Sequence, residues 1–235
     1  KLSNYMLSTK EFSTIEINGN ELNMWMIKPK DFDPNKKYPL LMYQYSGPGS
    51  QKVANSWNDT NDFWHQSLVQ KGYIVACVDG RGTGFKGTTF KKVTYKQLVH
   101  FETLDQIEVA RKLGQKPFID AERIGIWGWS YGGHMSTNCI LKGNDVFSLA
   151  IAVAPVTSWR FYDTIYTERF MQTPQENPEG YDLNSPFNYP ELLKGDYLLI
   201  HGSGDDNVHL QNTMRMVEAL VQANKPFELM IYPDQ

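Results

Sequence analysis

From residue 38 onward the chain repeats one pattern: a short apolar run without alternation, then a stretch with helical spacing. The runs are Tyr38 to Tyr43, Tyr73 to Val78, Arg123 to Trp127, Leu149 to Val153, Tyr197 to Ile200 and Phe227 to Tyr232. A strand with one wet face alternates polar and apolar residues, whereas strands this uniformly apolar need cover on both faces. Asp62 to Gln70 suits a helix, and another starts near Tyr131. Leu104, Ile107, Ala110 and Leu113 make one helical stripe; Leu210, Met214, Val217 and Val221 make a second. The pattern predicts an α/β fold, a mostly parallel twisted sheet with helices on both faces. Ile15 to Leu22, with Asn18-Gly19 at its centre, reads as an antiparallel hairpin at the sheet's edge.

Composition narrows the function. The net charge of −3 argues against a general polyanion binder, so no nucleic-acid partner is expected. With 41% hydrophobic and 13% aromatic residues, the chain is far from a disordered composition. The longest mostly apolar run, Phe147 to Val156, is about half of what a spanning helix needs, so no membrane segment is expected in this chain. Lys1-Leu2-Ser3-Asn4 lacks a signal-peptide pattern. Cys77 and Cys139 are read as buried free thiols, with one bridge as the alternative. There is no repeat or linker, so residues 1–235 are expected to form one domain.

The most informative residues are Gly128-Trp129-Ser130-Tyr131-Gly132-Gly133, set between a strand and a helix. That is the context of a G-x-S-x-G nucleophile elbow. A tight strand-to-helix turn would strain Ser130 and expose its hydroxyl at a helix N-terminus, where negative charge is favoured. The bland alternative is a glycine-rich turn with an incidental serine. In such folds the acid follows a later strand, and Asp205 or Asp206 stands there. One of that pair, or Asn207, could instead cap the next helix, with the two roles falling to different residues. No base follows at the expected place. His209, read as in the first turn of a helix, is too near the acid; His201 is inside a strand; His134 is behind the elbow; His65 and His100 lie far upstream.

Taken together, these residues resemble the catalytic domain of the prolyl oligopeptidase family, in its dipeptidyl peptidase IV branch including bacterial members. The resemblance runs from about Trp25 to Gln235. Tyr45-Ser46-Gly47-Pro48, Asp79 to Gly84, Trp127 to Gly133 and Ala154-Pro155-Val156 carry it. So do Tyr162-Asp163, Tyr166 to Arg169, His201-Gly202 and Asp205 to His209. The Trp-Ser-Tyr elbow and the Tyr-Thr-Glu-Arg run mark this branch; the prolyl oligopeptidase branch itself reads Gly-Gly-Ser-x-Gly-Gly.

The resemblance implies an α/β-hydrolase fold, with Ser130 as nucleophile and Asp205, the first of the pair, as acid. It implies that the Tyr45 hydroxyl and the Tyr131 backbone N–H face the oxyanion. Tyr45 also fits the general rule that the loop after the first core strand supplies a second oxyanion donor. Val156, Trp159, Tyr162, Tyr166 and Val208 would line the pocket before the scissile bond, Tyr131 would form a wall, and Asn207 would bind the substrate carbonyl. Trp159, Tyr162 and Tyr166 are spaced to share one face if that stretch is helical. The implied activity is release of N-terminal dipeptides with proline or alanine second, without cofactor or metal. An acylaminoacyl peptidase, an esterase and a non-catalytic interaction domain are the alternatives. Two departures from the family are expected to matter: the chain stops before the family's histidine loop, which would leave it inactive, and no β-propeller precedes Lys1. Relatives are periplasmic, secreted or held at the cell surface. They dimerise partly through the counterparts of residues 208–223 and the last strand, so a homodimer is expected of the longer parent protein.

Overall fold

A computed structural model of the chain describes residues 7–56 and 60–234; the reading of Lys1 to Asn4 and the final Gln235 fall outside them. Strands β1 (Lys10–Ile17) and β2 (Asn20–Ile27) form the expected hairpin. Asn18 and Gly19 turn it at φ 50° and 73°, the two positive values a tight primed turn requires. Strands β3 (Tyr38–Tyr43), β4 (Ile74–Asp79), β5 (Ile119–Trp129), β6 (Leu149–Val153), β7 (Asp196–Gly202) and β8 (Glu228–Tyr232) complete one sheet. Its order is β1-β2-β4-β3-β5-β6-β7-β8. The pairs from β4 through β8 are parallel, while β2 joins β4 antiparallel. The uniformly apolar runs are therefore the parallel strands.

The helices are α1 (Thr60–Gln70), α2 (Gly87–Lys92), α3 (His100–Gly114), α4 (Tyr131–Lys142), α5 (Thr164–Met171), α6 (Pro178–Asp182) and α7 (Gln211–Gln222). One face of the sheet packs Ile126, Ala150, Ala152 and Leu199 against Ala110 and Leu113 of α3, Met135 and Cys139 of α4, and Met216 and Leu220 of α7. The other face gathers Trp25, Leu41, Val75 and Trp127 under Val69 of α1. Cys77 and Cys139 are buried and unbonded to each other. Among the described residues no helix is long and apolar enough to cross a membrane.

Two helical faces differ from the expectation. In α7 the buried side carries Asn212, Thr213, Met216 and Leu220, while Met214 and Val221 of the expected stripe face solvent. The polar pair is drawn inward by bonds: Asn212 Oδ1 accepts from the Thr157 N–H at 2.9 Å, and Thr213 Oγ1 meets His201 Nδ1 at 2.7 Å. In α3, Ile107, Ala110 and Leu113 are buried as expected, but Leu104 is exposed. Glu102 and Asp105 are buried there instead, each held by a specific partner.

Candidate active site

Parallel strands deliver the loops at their C-terminal ends to one edge of the sheet, where open α/β sheets gather their chemistry. The loops after β3, β5, β6 and β7 carry Tyr45, Ser130, Val156 and Asp205 to that edge. Ser130 sits at φ 58° and ψ −112°, a strained conformation for a residue with a side chain. Its N–H donates to Val153 O at 2.8 Å, and its carbonyl accepts the His134 N–H at 3.0 Å. The flanking glycines are required by contact. A Cβ at Gly128 would lie 2.6 Å from both the Gln44 and Gly132 carbonyl oxygens, and one at Gly132 would lie 2.6 Å from Gln44 O.

Gln44 itself carries a role that sequence reading missed. Its side-chain amide donates to Gly132 O at 2.7 Å and to Ser136 Oγ at 3.1 Å, tying the Tyr45 loop to the elbow helix. The Asp79 to Gly84 run braces the same loop from the other side. Asp79 accepts from the Lys52 and Val53 N–H groups, and Gly84 N–H donates to Ser50 O.

Tyr45 lines the same cleft as Ser130. Burial, then the neighbouring Tyr162, push its pKa up, with Ser130 pulling it partly back, so the phenol keeps its proton as a donor. The Tyr131 N–H is in the first turn of α4, where backbone donors have no intrahelical partner. Tyr131 is otherwise fully buried, its hydroxyl donating to Glu102 Oε1 at 2.6 Å. Burial raises Glu102 to about 7, against the pull of Tyr131.

Tyr45, Ser130, Tyr131, Val156, Trp159, Tyr162 and Tyr166 line one small cleft. The aromatic trio meets as the spacing suggested, though not on one helix. Trp159 lies in a single 3₁₀ turn, Tyr162 is extended, and Tyr166 belongs to α5. Asp163 breaks the stretch by capping α5, accepting the Tyr166 N–H at 2.8 Å. The rings still pack together: Trp159–Tyr162 at 6.0 Å edge-on, Trp159–Tyr166 at 5.9 Å stacked, and Tyr162–Tyr166 at 5.4 Å edge-on. Asn207 joins the rim, its Oδ1 accepting from the Tyr162 hydroxyl at 2.9 Å. Val208 is buried in the same apolar cluster as Val156 and Trp159, behind the cleft's lining.

Asp205 is half-buried and Asp206 exposed. Asp205 Oδ1 accepts the N–H groups of Asn207 at 3.0 Å and Val208 at 2.9 Å. Asp205 thus ties down its own turn, and none of Asp205, Asp206 and Asn207 supplies the expected cap to the next helix. Helix α7 begins after Leu210 with no side-chain cap, and His209 precedes it rather than sitting in its first turn. His201 meets Thr213 and Val208 O, both at 2.7 Å, and its Nε2 also lies 3.6 Å from Asp205 Oδ2. His134 meets Asn184 O at 2.6 Å, and burial lowers its pKa to about 4. His65 accepts from Trp127 Nε1 at 3.2 Å. His100 packs on the Phe101 ring, and His209 is exposed.

The family model that matches, the prolyl oligopeptidase family, spans residues 60–235. The chain belongs to the prolyl oligopeptidase family. Among curated relatives, it is 46% identical over 233 residues to the probable dipeptidyl-aminopeptidase B of Coccidioides posadasii, covering 98% of this chain and 25% of that protein. With the protein of the same name from Emericella nidulans the figure is 43% over 236 residues, covering 99% of this chain and 26% of that protein. Among solved structures, Porphyromonas gingivalis dipeptidyl peptidase 4 superposes with a TM-score of 0.96 at 53% identity. That match covers all of this chain and 33% of the other. The chain thus spans about a quarter to a third of the relatives it matches.

Proposed function

We propose that this chain is the catalytic part of a serine exopeptidase that releases N-terminal dipeptides with proline or alanine in second position. The observation that carries the proposal is the strained Ser130 at a cleft walled by Tyr131, Val156, Trp159, Tyr162 and Tyr166. Flat rings suit a small apolar pyrrolidine, and the relatives named as dipeptidyl peptidases support the same reading. In the proposed mechanism Ser130 Oγ attacks the carbonyl carbon, and a histidine takes its proton. The Tyr45 hydroxyl and Tyr131 N–H hold the oxyanion. The amine leaves with the proton, and water then hydrolyses the acyl-enzyme. Asp205 orients the histidine, while Asn207 and Val208 complete the substrate side.

Four of the five histidines are held by other groups and His209 faces solvent, which supports assigning the base to a histidine outside residues 1–235. On this reading the chain alone is inactive, and residues 1–235 are one domain of a larger protein. Dimerisation of that protein is also proposed. The solvent-facing Met214 and Val221 of α7, with Met230 and Tyr232 of β8, support it. The test uses the intact protein. Ser130-dependent release of Gly-Pro from Gly-Pro-p-nitroanilide, faster than hydrolysis of acetylated or simple ester analogues, is expected. Preference for the blocked or ester substrates would replace the dipeptidyl reading with the acylaminoacyl peptidase or esterase one. No reaction of Ser130 with a fluorophosphonate would remove the enzyme reading altogether.

A further inference from the structure

Glu102 stands in the first turn of α3 and is wholly buried, and its Oε2 has no hydrogen-bond partner among the described residues. The nearby Arg81 is committed to Asp105, in a fork of bonds from 2.6 to 3.0 Å. What Glu102 does hold is Tyr131, whose hydroxyl donates to Oε1 at 2.6 Å and accepts the Val99 N–H at 3.2 Å. Val99 reaches that position at φ 76°, an unfavourable value for a β-branched residue. The segment is fastened from behind as well: Leu98 N–H donates to Met171 Sδ and Lys96 N–H to Phe170 O. Both partners lie on α5, the helix that carries Tyr166. The other end of Tyr131 follows Ser130 directly, and its ring packs against Tyr45 at 6.0 Å and Trp159 at 5.4 Å.

A buried acid whose only side-chain partner among the described residues is the residue after the nucleophile is costly unless it fixes something. We propose that Glu102 is a positioning residue for acyl transfer: by gripping the Tyr131 hydroxyl it fixes both a wall of the aromatic cleft and the backbone N–H that faces the oxyanion. The proposal rests on the serine-peptidase reading above. Glu102 touches neither substrate nor reacting atoms; it acts through Tyr131. A residue serving only to close the core would change stability without a matching change in the rate at Ser130.

The experiment compares Glu102→Ala, Glu102→Gln, Tyr131→Phe and the Glu102→Ala/Tyr131→Phe double variant in the intact protein. Three quantities are measured: the rate of Ser130 labelling by a fluorophosphonate, kcat and KM on Gly-Pro-p-nitroanilide, and the thermal midpoint. Glu102→Ala and Tyr131→Phe are each expected to slow labelling and kcat by about tenfold or more, with KM rising far less. Glu102→Gln keeps an acceptor at the same place and is expected to stay within about threefold of wild type. The double variant is expected to be no slower than the slower single one, because both remove the same contact. Additive losses, or folded variants that label at the wild-type rate, would overturn the proposal. Should Glu102→Ala fail to fold, Tyr131→Phe decides alone, since it keeps the ring and removes only the hydroxyl. Rapid labelling without Gly-Pro release would defeat the dipeptidyl reading and leave the labelling rates to judge Glu102. No labelling of wild type by either route would defeat both.

Discussion

Gly128 and Gly132 show how little room the nucleophile's turn allows. The Gln44 carbonyl sits between them, and any Cβ would collide with main-chain atoms that cannot step aside. Gly128→Ala is expected to destabilise the protein by about 1–3 kcal/mol, the usual range for overpacking, and to slow Ser130 labelling. A thermal melt and a fluorophosphonate rate check the two parts. Tyr45, on the loop after β3, matters for a different reason. Burial raises its pKa, so the phenol keeps its proton, and it lines the same cleft as Ser130. Tyr45→Phe in the intact protein is expected to cost about 2.7–4 kcal/mol of transition-state stabilisation, read from kcat, with the melting temperature little changed. A near-wild-type kcat would dismiss the oxyanion role. The glycines and Ser130 were legible in sequence because a strand-to-helix turn this tight dictates their types, whereas Tyr45 was named by the family resemblance and the rule for the loop after the first core strand. Glu102 and Gln44 were not. Their partners, Tyr131 and Gly132, lie 29 and 88 residues away, and a buried polar residue has no periodic signature.

Helix α5 is eight residues long, too short to be stable by itself, and it presents Tyr166 to the cleft. Asp163 closes its first turn on the Tyr166 N–H itself. Asp163→Ala is expected to remove about 1 kcal/mol of local stability and to raise KM for Gly-Pro substrates more than it lowers kcat. Unchanged KM with an intact fold would show that the Tyr166 ring is held by its neighbours alone. The break at Asp163 also explains why i, i+3, i+7 spacing named the right rings for a helix that does not exist. Their convergence comes from a turn, an extended residue and a capped helix. Helix α7 went astray in the opposite sense: its apolar stripe was real, but Thr157 and His201 bind Asn212 and Thr213 and rotate that stripe outward. The strands fared better, β3 and β6 matching residue for residue, because burial on both faces leaves a run that no exposed helix imitates. If α7 forms part of a dimer surface, Val221→Asp should convert a dimeric parent to monomer in sedimentation velocity with Ser130 labelling retained.

Across the whole molecule, burying both an acid and a base close to one edge of the sheet makes stability depend on pH in two opposing ways. Glu102 is raised to about 7 by burial, with Tyr131 pulling against it. Its folded form holds a proton that the unfolded chain has released, so its contribution is present below about 4.5 and is lost as pH rises through about 7. His134 is lowered to about 4, again by burial first. Its contribution is present above about 6.5 and is lost as pH falls through about 4. Each shift corresponds to about 3 kcal/mol at full effect, and the two run against each other between about 4.5 and 6.5. Asp79, raised by burial, adds to the first trend, and His100, lowered by burial, to the second. The wild-type melting temperature is therefore expected to change little over that window. Glu102→Gln removes the larger share of one arm, so stability should then climb with pH between about 4.5 and 6.5, as His134 dictates. His134→Gln should reverse the slope, leaving stability to fall as pH rises toward 7. Melting curves of the three proteins across the window measure both slopes directly. Parallel curves would mean that neither group changes its proton affinity on folding, and that water reaches Glu102 and His134 in the native state.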